Sequence, residues 1–208
     1  IKNILSRTCF FYKLHITLVN FKLRHICVFS INKNMKSEEN IVFLGMMGSG
    51  KSSIGKLISK RLKLEFFDID NCIEKKSGMK ISKIFNDYGE KFFREIEEKV
   101  TLQILKKKNI VIALGGGGFL NSKIRKEILN NHLSFWLNLG SEQLLKRLTK
   151  SSKRPLVKNL TKNELINMIK KRSNFYSKSL YKINCDNLSK IEIVDKILNI
   201  YETNKINS

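Results

Sequence analysis

From residue 41 onward the chain alternates two kinds of apolar pattern. Short apolar runs recur at Ile41-Val42-Phe43-Leu44, Ile110-Val111-Ile112-Ala113-Leu114 and, with one serine, Leu133-Ser134-Phe135-Trp136-Leu137. Runs of this length, rich in β-branched and aromatic residues, read as strands buried in a sheet. Leu64-Glu65-Phe66-Phe67 and residues 180–185 complete the predicted strands. Between the strands, apolar residues recur at helical spacing. After the first strand they fall at 54, 57, 58 and 62, with the aliphatic stem of Arg61 on the same face. Further helices are predicted near 71–77, 80–86, 90–107, 122–131, 141–149, 162–175 and 189–203, with a break at Ser77-Gly78. Ser141 is the expected cap of one helix, and Thr161-Lys162-Asn163-Glu164 reads as a capping box opening another. Residues 150–160 are polar and lysine-rich and hold Pro155, the chain's only proline. Strand and helix in alternation predict an α/β fold with a parallel sheet, in one domain.

The first strand runs into Gly45-Met46-Met47-Gly48-Ser49-Gly50-Lys51-Ser52, which fits G-x-x-x-x-G-K-[ST] between a strand and a helix. In such a loop the glycines let successive N–H groups face phosphate oxygens, and the helix N-terminus adds partial positive charge. Lys51 is placed to reach the β- and γ-phosphates, and the Ser52 hydroxyl to ligate Mg2+. The pattern implies a bound nucleoside triphosphate.

Net charge changes this picture little. The 208 residues carry a formal +22, but lysine supplies 32 of the 40 basic residues and is scattered. A nucleic-acid binder would cluster charge with aromatics on one face, so no nucleic-acid partner is expected. Cys9, Cys27, Cys72 and Cys185 lie far apart, which supports neither a zinc site nor a disulfide framework. Reduced structural thiols in an intracellular protein are expected. His132 is read as a strand-edge residue rather than a catalyst.

Residues 1–34 stand apart, with six basic residues and no acidic one. Three readings compete for them: translated upstream sequence with Met35 as the natural start, an organelle transit peptide, or a genuine extension. Lys13, His15, Lys22, Arg24 and His25 interrupt every apolar run, so this segment is not a membrane span. The domain proper is expected over 35–208. The expected compartment is the cytoplasm, or a plastid or other organelle if 1–34 is a transit peptide.

Ligands of open α/β sheets bind beyond the carboxyl ends of the strands. Three motifs end strands here: the phosphate loop, Asp68-x-Asp70, and Gly115-Gly116-Gly117-Gly118. They are predicted to converge. The best apolar strand ends in glycine rather than aspartate, which leaves Asp68 as the metal-side carboxylate, acting directly or through water. Asp70 either faces a substrate hydroxyl or caps the next helix. Arg94, Arg147, Arg154 and Arg172 all fall in segments bordering the crevice of an arginine-poor chain. Arginine's planar fork grips carboxylate or phosphate at two points, which lysine cannot copy.

Taken in order, these motifs resemble the shikimate kinase family, small P-loop kinases of aromatic amino-acid biosynthesis. The likeness covers about residues 41–200. It rests on the phosphate loop through Ser53, Phe67-Asp68-Ile69-Asp70, and Ile84-Phe85-x-x-x-Gly89-Glu90-x-x-Phe93-Arg94-x-x-Glu97. Leu114-Gly115-Gly116-Gly117, Arg154-Pro155-Leu156 and Arg172-x-x-x-Tyr176 follow. The resemblance implies a three-layer P-loop kinase fold: a five-stranded parallel sheet flanked by helices, with a mobile lid over about 149–160. It implies ATP and shikimate as substrates, Mg2+ as cofactor, a monomer, and no membrane partner.

By the same resemblance, Asp70, Arg94, Gly115, Gly116, Gly117 and Arg172 would hold shikimate. The two arginines would clamp its carboxylate and Asp70 its ring hydroxyls, while Phe85, Phe93 and Glu97 shape and brace the pocket. Met47, Gly48, Ser49, Gly50, Lys51, Ser52 and Ser53 would cradle ATP, with Arg147 packing on adenine. Arg154 would reach the transferring phosphoryl group. Lys51, Asp70 and Arg154 are the expected catalytic residues, and Ser52 with Asp68 the expected metal ligands. Phe119, where the family has a smaller residue, is expected to reshape the back of the pocket. Two alternatives stay open: another small-metabolite kinase on this fold, such as a gluconate or nucleoside monophosphate kinase, and a non-catalytic nucleic-acid-binding relative.

Overall fold

The computed structural model describes residues 39–149 and 160–206. The expectations about residues 1–34, and about Arg154 and most of the lid, lie outside these residues. Strand β1 (Ile41–Leu44) is central, and every strand pairing is parallel. On one side of it lie β3 (Ile110–Ala113) and then β2 (Glu65–Asp68); on the other lie β4 (Leu133–Asn138) and β5 (Tyr181–Asn184). The order is therefore β2-β3-β1-β4-β5. Every residue of β1 and β3 is buried, which is why both read as unbroken apolar runs. Phe43 and Phe135, both wholly buried, pack ring to ring at 5.9 Å. Each such side chain contributes about 1.5–3 kcal/mol.

Seven helices flank the sheet among the described residues: α1 (Lys51–Leu62), α2 (Ile69–Ser77), α3 (Ile81–Leu105), α4 (Ser122–Asn131), α5 (Ser141–Thr149), α6 (Lys162–Tyr176) and α7 (Lys190–Ile206). A short 3-10 turn, Gly118–Leu120, precedes α4. Helix α1 lies tight on β2: a Cβ at Gly55 would meet Phe66 Cε2 at 2.5 Å. The predicted helices 80–86 and 90–107 form one element, α3, interrupted at Gly89 with φ 78° and ψ 176°. That backbone conformation favours glycine and separates the two segments where the sequence pattern does. The Thr161–Glu164 capping box is present with both reciprocal bonds.

One local expectation is corrected, and one open alternative is closed. Ser141 is the first residue of α5, not its cap, because the Leu144 N–H bonds to the Gly140 carbonyl. Gly140 is held by its own N–H, which donates to Asp186 Oδ1 at 2.8 Å. Asp70 does not cap α2; Asp68 does, accepting from the Asn71 N–H at 3.4 Å. Strand β2 runs straight into α2, so its last residue also serves as the cap. His132 is buried and caps the end of α4, immediately before β4.

Candidate active site

Pairing register aligns the exits of three strands. Phe43 of β1 and Asp68 of β2 both pair with Ala113 of β3, and the Leu114 N–H extends that ladder to the Phe43 carbonyl at 3.1 Å. The segments after these strands therefore emerge side by side. In the phosphate loop Gly50 adopts φ 100° at the N-cap of α1, a value that a side chain would strain. Lys51 is buried, and its Nζ donates to the carbonyls of Gly45 and Met46 at 2.9 Å each. Its ammonium is thus fixed on the loop itself. Met47 and Ser49 are buried, whereas Ser53 on the first turn of α1 is exposed. Arg147 of α5 reaches over the loop, its Nη1 donating to the Gly48 carbonyl at 3.1 Å.

Ser52 Oγ donates to Asp68 Oδ2 at 2.5 Å, joining the start of α1 to the end of β2. A hydroxyl beside a carboxylate is a hard-oxygen donor pair. Mg2+ takes one or two protein ligands of this type and completes its shell with water and phosphate, so these residues fit that ion.

The glycine run is the hub of the site, because each of its first three residues faces a different partner. A Cβ built on Gly115 would lie 2.6 Å from Glu97 Oε1 and 2.9 Å from Asp70 Oδ1. On Gly116 it would lie 3.3 Å from the Met47 backbone nitrogen and 3.5 Å from Arg172 Nη1. On Gly117 it would strike Arg94, with Nη1 at 2.3 Å and both Cζ and Nη2 at 2.7 Å. Asp70, Glu97, Arg172, Arg94 and the phosphate loop thus meet across three consecutive residues that carry no side chains.

Each charged group here is held by others. Arg94 Nη1 donates to Glu97 at 2.6 Å, and its Nε and Nη2 donate to Glu90 at 3.1 and 2.8 Å. Phe93 supports the Arg94 guanidinium from 5.2 Å and packs on Phe85 at 4.6 Å. Arg172, buried in α6, donates to the Gly116 carbonyl at 3.3 Å. Burial pushes the Glu97 carboxyl above its ordinary range; Arg94 pulls it down, Asp70 pushes it up further, and Arg172 pulls it down again. Two carboxylates and two guanidiniums therefore share one polar pocket beside the phosphate loop. Phe119 is wholly buried in the core within the 3-10 turn. Cys185 is buried at the end of β5, and burial pushes its thiol up to about 12, as suits a structural cysteine.

The structure brings Lys51, Ser52, Asp68, Asp70, Arg94, Glu97, Arg147 and Arg172 together beyond the carboxyl ends of the strands; Arg154 lies outside the described residues. Two contributors had no assigned part in the sequence. Glu90 grips Arg94, a pairing signalled by its i,i+4 spacing. Tyr176, one turn after Arg172, donates its hydroxyl to the Gly116 carbonyl, and nothing in the local sequence signals that bond.

The shikimate kinase family model matches residues 47–202. The chain belongs to the shikimate kinase family. A shikimate kinase of Caldicellulosiruptor bescii is 42% identical over 164 residues, covering 78% of this chain and 95% of that protein. One from Thermodesulfovibrio yellowstonii is 39% identical, covering 79% and 95%. Among solved structures, a shikimate kinase from Acinetobacter baumannii in complex with shikimate superposes with a TM-score of 0.77 at 30% identity, over 81% of this chain and 96% of that one. A deoxyadenosine kinase from M. mycoides shares only the fold, at 15% identity and a TM-score of 0.55. The five-stranded parallel sheet flanked by helices is thus the P-loop kinase architecture of the shikimate kinase family.

The contact at Gly117 gives a prediction for this family member. Gly117→Ala should displace the Arg94 guanidinium, the flexible end of a side chain, rather than the backbone. The fold should persist, with a Tm near wild type. With Arg94 gripping the substrate carboxylate, as the resemblance implies, KM for shikimate should rise about tenfold, because the fork loses its alignment. Steady-state kinetics with each substrate varied would check this, and a rise confined to the KM for ATP would refute it.

Proposed function

We propose that this protein transfers the γ-phosphoryl group of ATP to a ring hydroxyl of shikimate, the 3-hydroxyl by family resemblance, in the route to aromatic amino acids. The observation that carries this reading is the glycine run. It abuts the phosphate loop at Gly116 and is flanked by Asp70 and Glu97 on Gly115, Arg172 on Gly116 and Arg94 on Gly117. A small acid bearing hydroxyls matches that set of groups. Arg94 and Arg172 would grip its carboxylate in bidentate fashion, and Asp70 would take the hydroxyl.

In the reaction the hydroxyl oxygen bonds to the γ-phosphorus as the bond to the β–γ bridging oxygen breaks, and ADP leaves. Asp70 accepts the hydroxyl proton. Lys51 and Arg154 offset negative charge on the phosphoryl oxygens, and Arg147 packs on adenine. Positioning of two reactants in line supplies about 7–11 kcal/mol of the barrier. Ser52 and Asp68 would hold Mg2+, which when bound neutralises charge on the β- and γ-phosphates.

The decisive experiment is ADP release by the purified protein with and without shikimate, alongside gluconate and nucleoside monophosphates. Shikimate-dependent release alone is expected; release driven by another member of the panel would overturn the substrate. Salt-sensitive RNA binding without shikimate turnover would favour the nucleic-acid-binding alternative. We also propose that the protein acts as a monomer in the cytoplasm. Light scattering would test the oligomeric state. Among the described residues no helix is long and apolar enough to cross a membrane.

A further inference from the structure

The Gly116 carbonyl accepts from two donors on successive turns of α6, Arg172 Nη1 at 3.3 Å and the Tyr176 hydroxyl. Tyr176 is 1% exposed, its ring packs 6.0 Å from that of Trp136, and its hydroxyl also lies 3.9 Å from Met46 Sδ in the phosphate loop. A peptide unit is planar, so a carbonyl held at two points fixes the orientation of the whole Gly116–Gly117 unit. That unit carries the contacts to both arginines: Arg172 against Gly116 and Arg94 against Gly117. The Tyr176 hydroxyl therefore touches a stretch of backbone that both forks pack upon, and it does so from the side of the phosphate loop.

We propose that Tyr176 is a positioning residue of this site: by sharing the Gly116 carbonyl with Arg172, its hydroxyl sets where the Arg172 fork and the glycine backbone present themselves to the substrate carboxylate. This rests on the function proposed above. The hydroxyl can hold this part at any neutral pH. Burial pushes its pKa up to about 12 against the pull of Arg172, so it remains a donor. Without it, the Gly116 carbonyl would rely on Arg172 alone. The guanidinium would then recentre on that carbonyl and away from the incoming acid. A buried hydroxyl that merely satisfied a carbonyl would affect stability and nothing else, which makes the two roles separable.

Tyr176→Phe keeps the ring on Trp136 and removes only the donor. KM for shikimate should rise about five- to tenfold, the size of one lost hydrogen bond, while KM for ATP stays within about twofold. In an Arg172→Lys background the same change should lower kcat/KM for shikimate by less than about twofold, because the fork it aims is gone. A fall in Tm with unchanged KM for shikimate would overturn the proposal. So would a full five- to tenfold loss persisting beside Arg172→Lys. Wild-type protein inactive with shikimate would instead remove the function itself, so the two failures are distinguishable.

Discussion

Lys51→Met should reduce kcat by about three orders of magnitude or more, with loss of one preorganised charge at the developing phosphoryl group as the cause. The structure adds a second consequence. Lys51 is buried and donates to the Gly45 and Met46 carbonyls, so the substitution leaves two loop carbonyls without their charged donor. The Met46 carbonyl keeps the Ser49 N–H at 3.1 Å, and a buried acceptor left unpaired, as at Gly45, costs about 1–3 kcal/mol. In a domain of this size 1 kcal/mol moves Tm by about 2–4 °C, so a measurable fall is expected. The kinetic loss must therefore be measured well below the variant's own midpoint. Lys51→Arg keeps the charge and a donor but not the compact ammonium, and should recover stability more than turnover. A Lys51→Met protein with kcat within tenfold of wild type would remove this residue from the chemistry.

The parts of the fold written into local sequence were legible, and the rest depended on contacts between distant segments. Apolar runs marked β1, β3 and β4 because both faces of those strands are covered. The separation of 80–86 from 90–107 was legible, and Gly89 accounts for it because its backbone conformation disfavours a side chain. The convergence of three strand ends followed from parallel topology alone. Ser141 misled because Asp186, far away in the chain, holds Gly140 and moves the start of α5. Local preference left open whether Asp70 caps the next helix. Only the direct passage of β2 into α2 shows that Asp68 is the cap and frees Asp70 to lie beside Gly115 and Glu97. Glycine repetition in 115–117 was visible, but not that each glycine answers to a different side chain. Those contacts come from α2, α3 and α6, which no short window of sequence joins.

Asp70 carries the second large effect. Asp70→Asn should lower kcat by about 10²–10⁴-fold, the range of a general base, while KM for shikimate changes far less. Asn keeps the size of the side chain and an oxygen that can orient a hydroxyl, but it cannot take the proton. The comparison thus separates proton acceptance from orientation. Geometry favours acceptance: Asp70 Oδ1 lies beside Gly115, next to the residue that touches the phosphate loop, and shares its surroundings with Glu97. Asp70→Ala removes both roles and should raise KM for shikimate as well. If the Asn variant retains kcat within tenfold and only the Ala variant fails, Asp70 orients the hydroxyl and the proton leaves by another path.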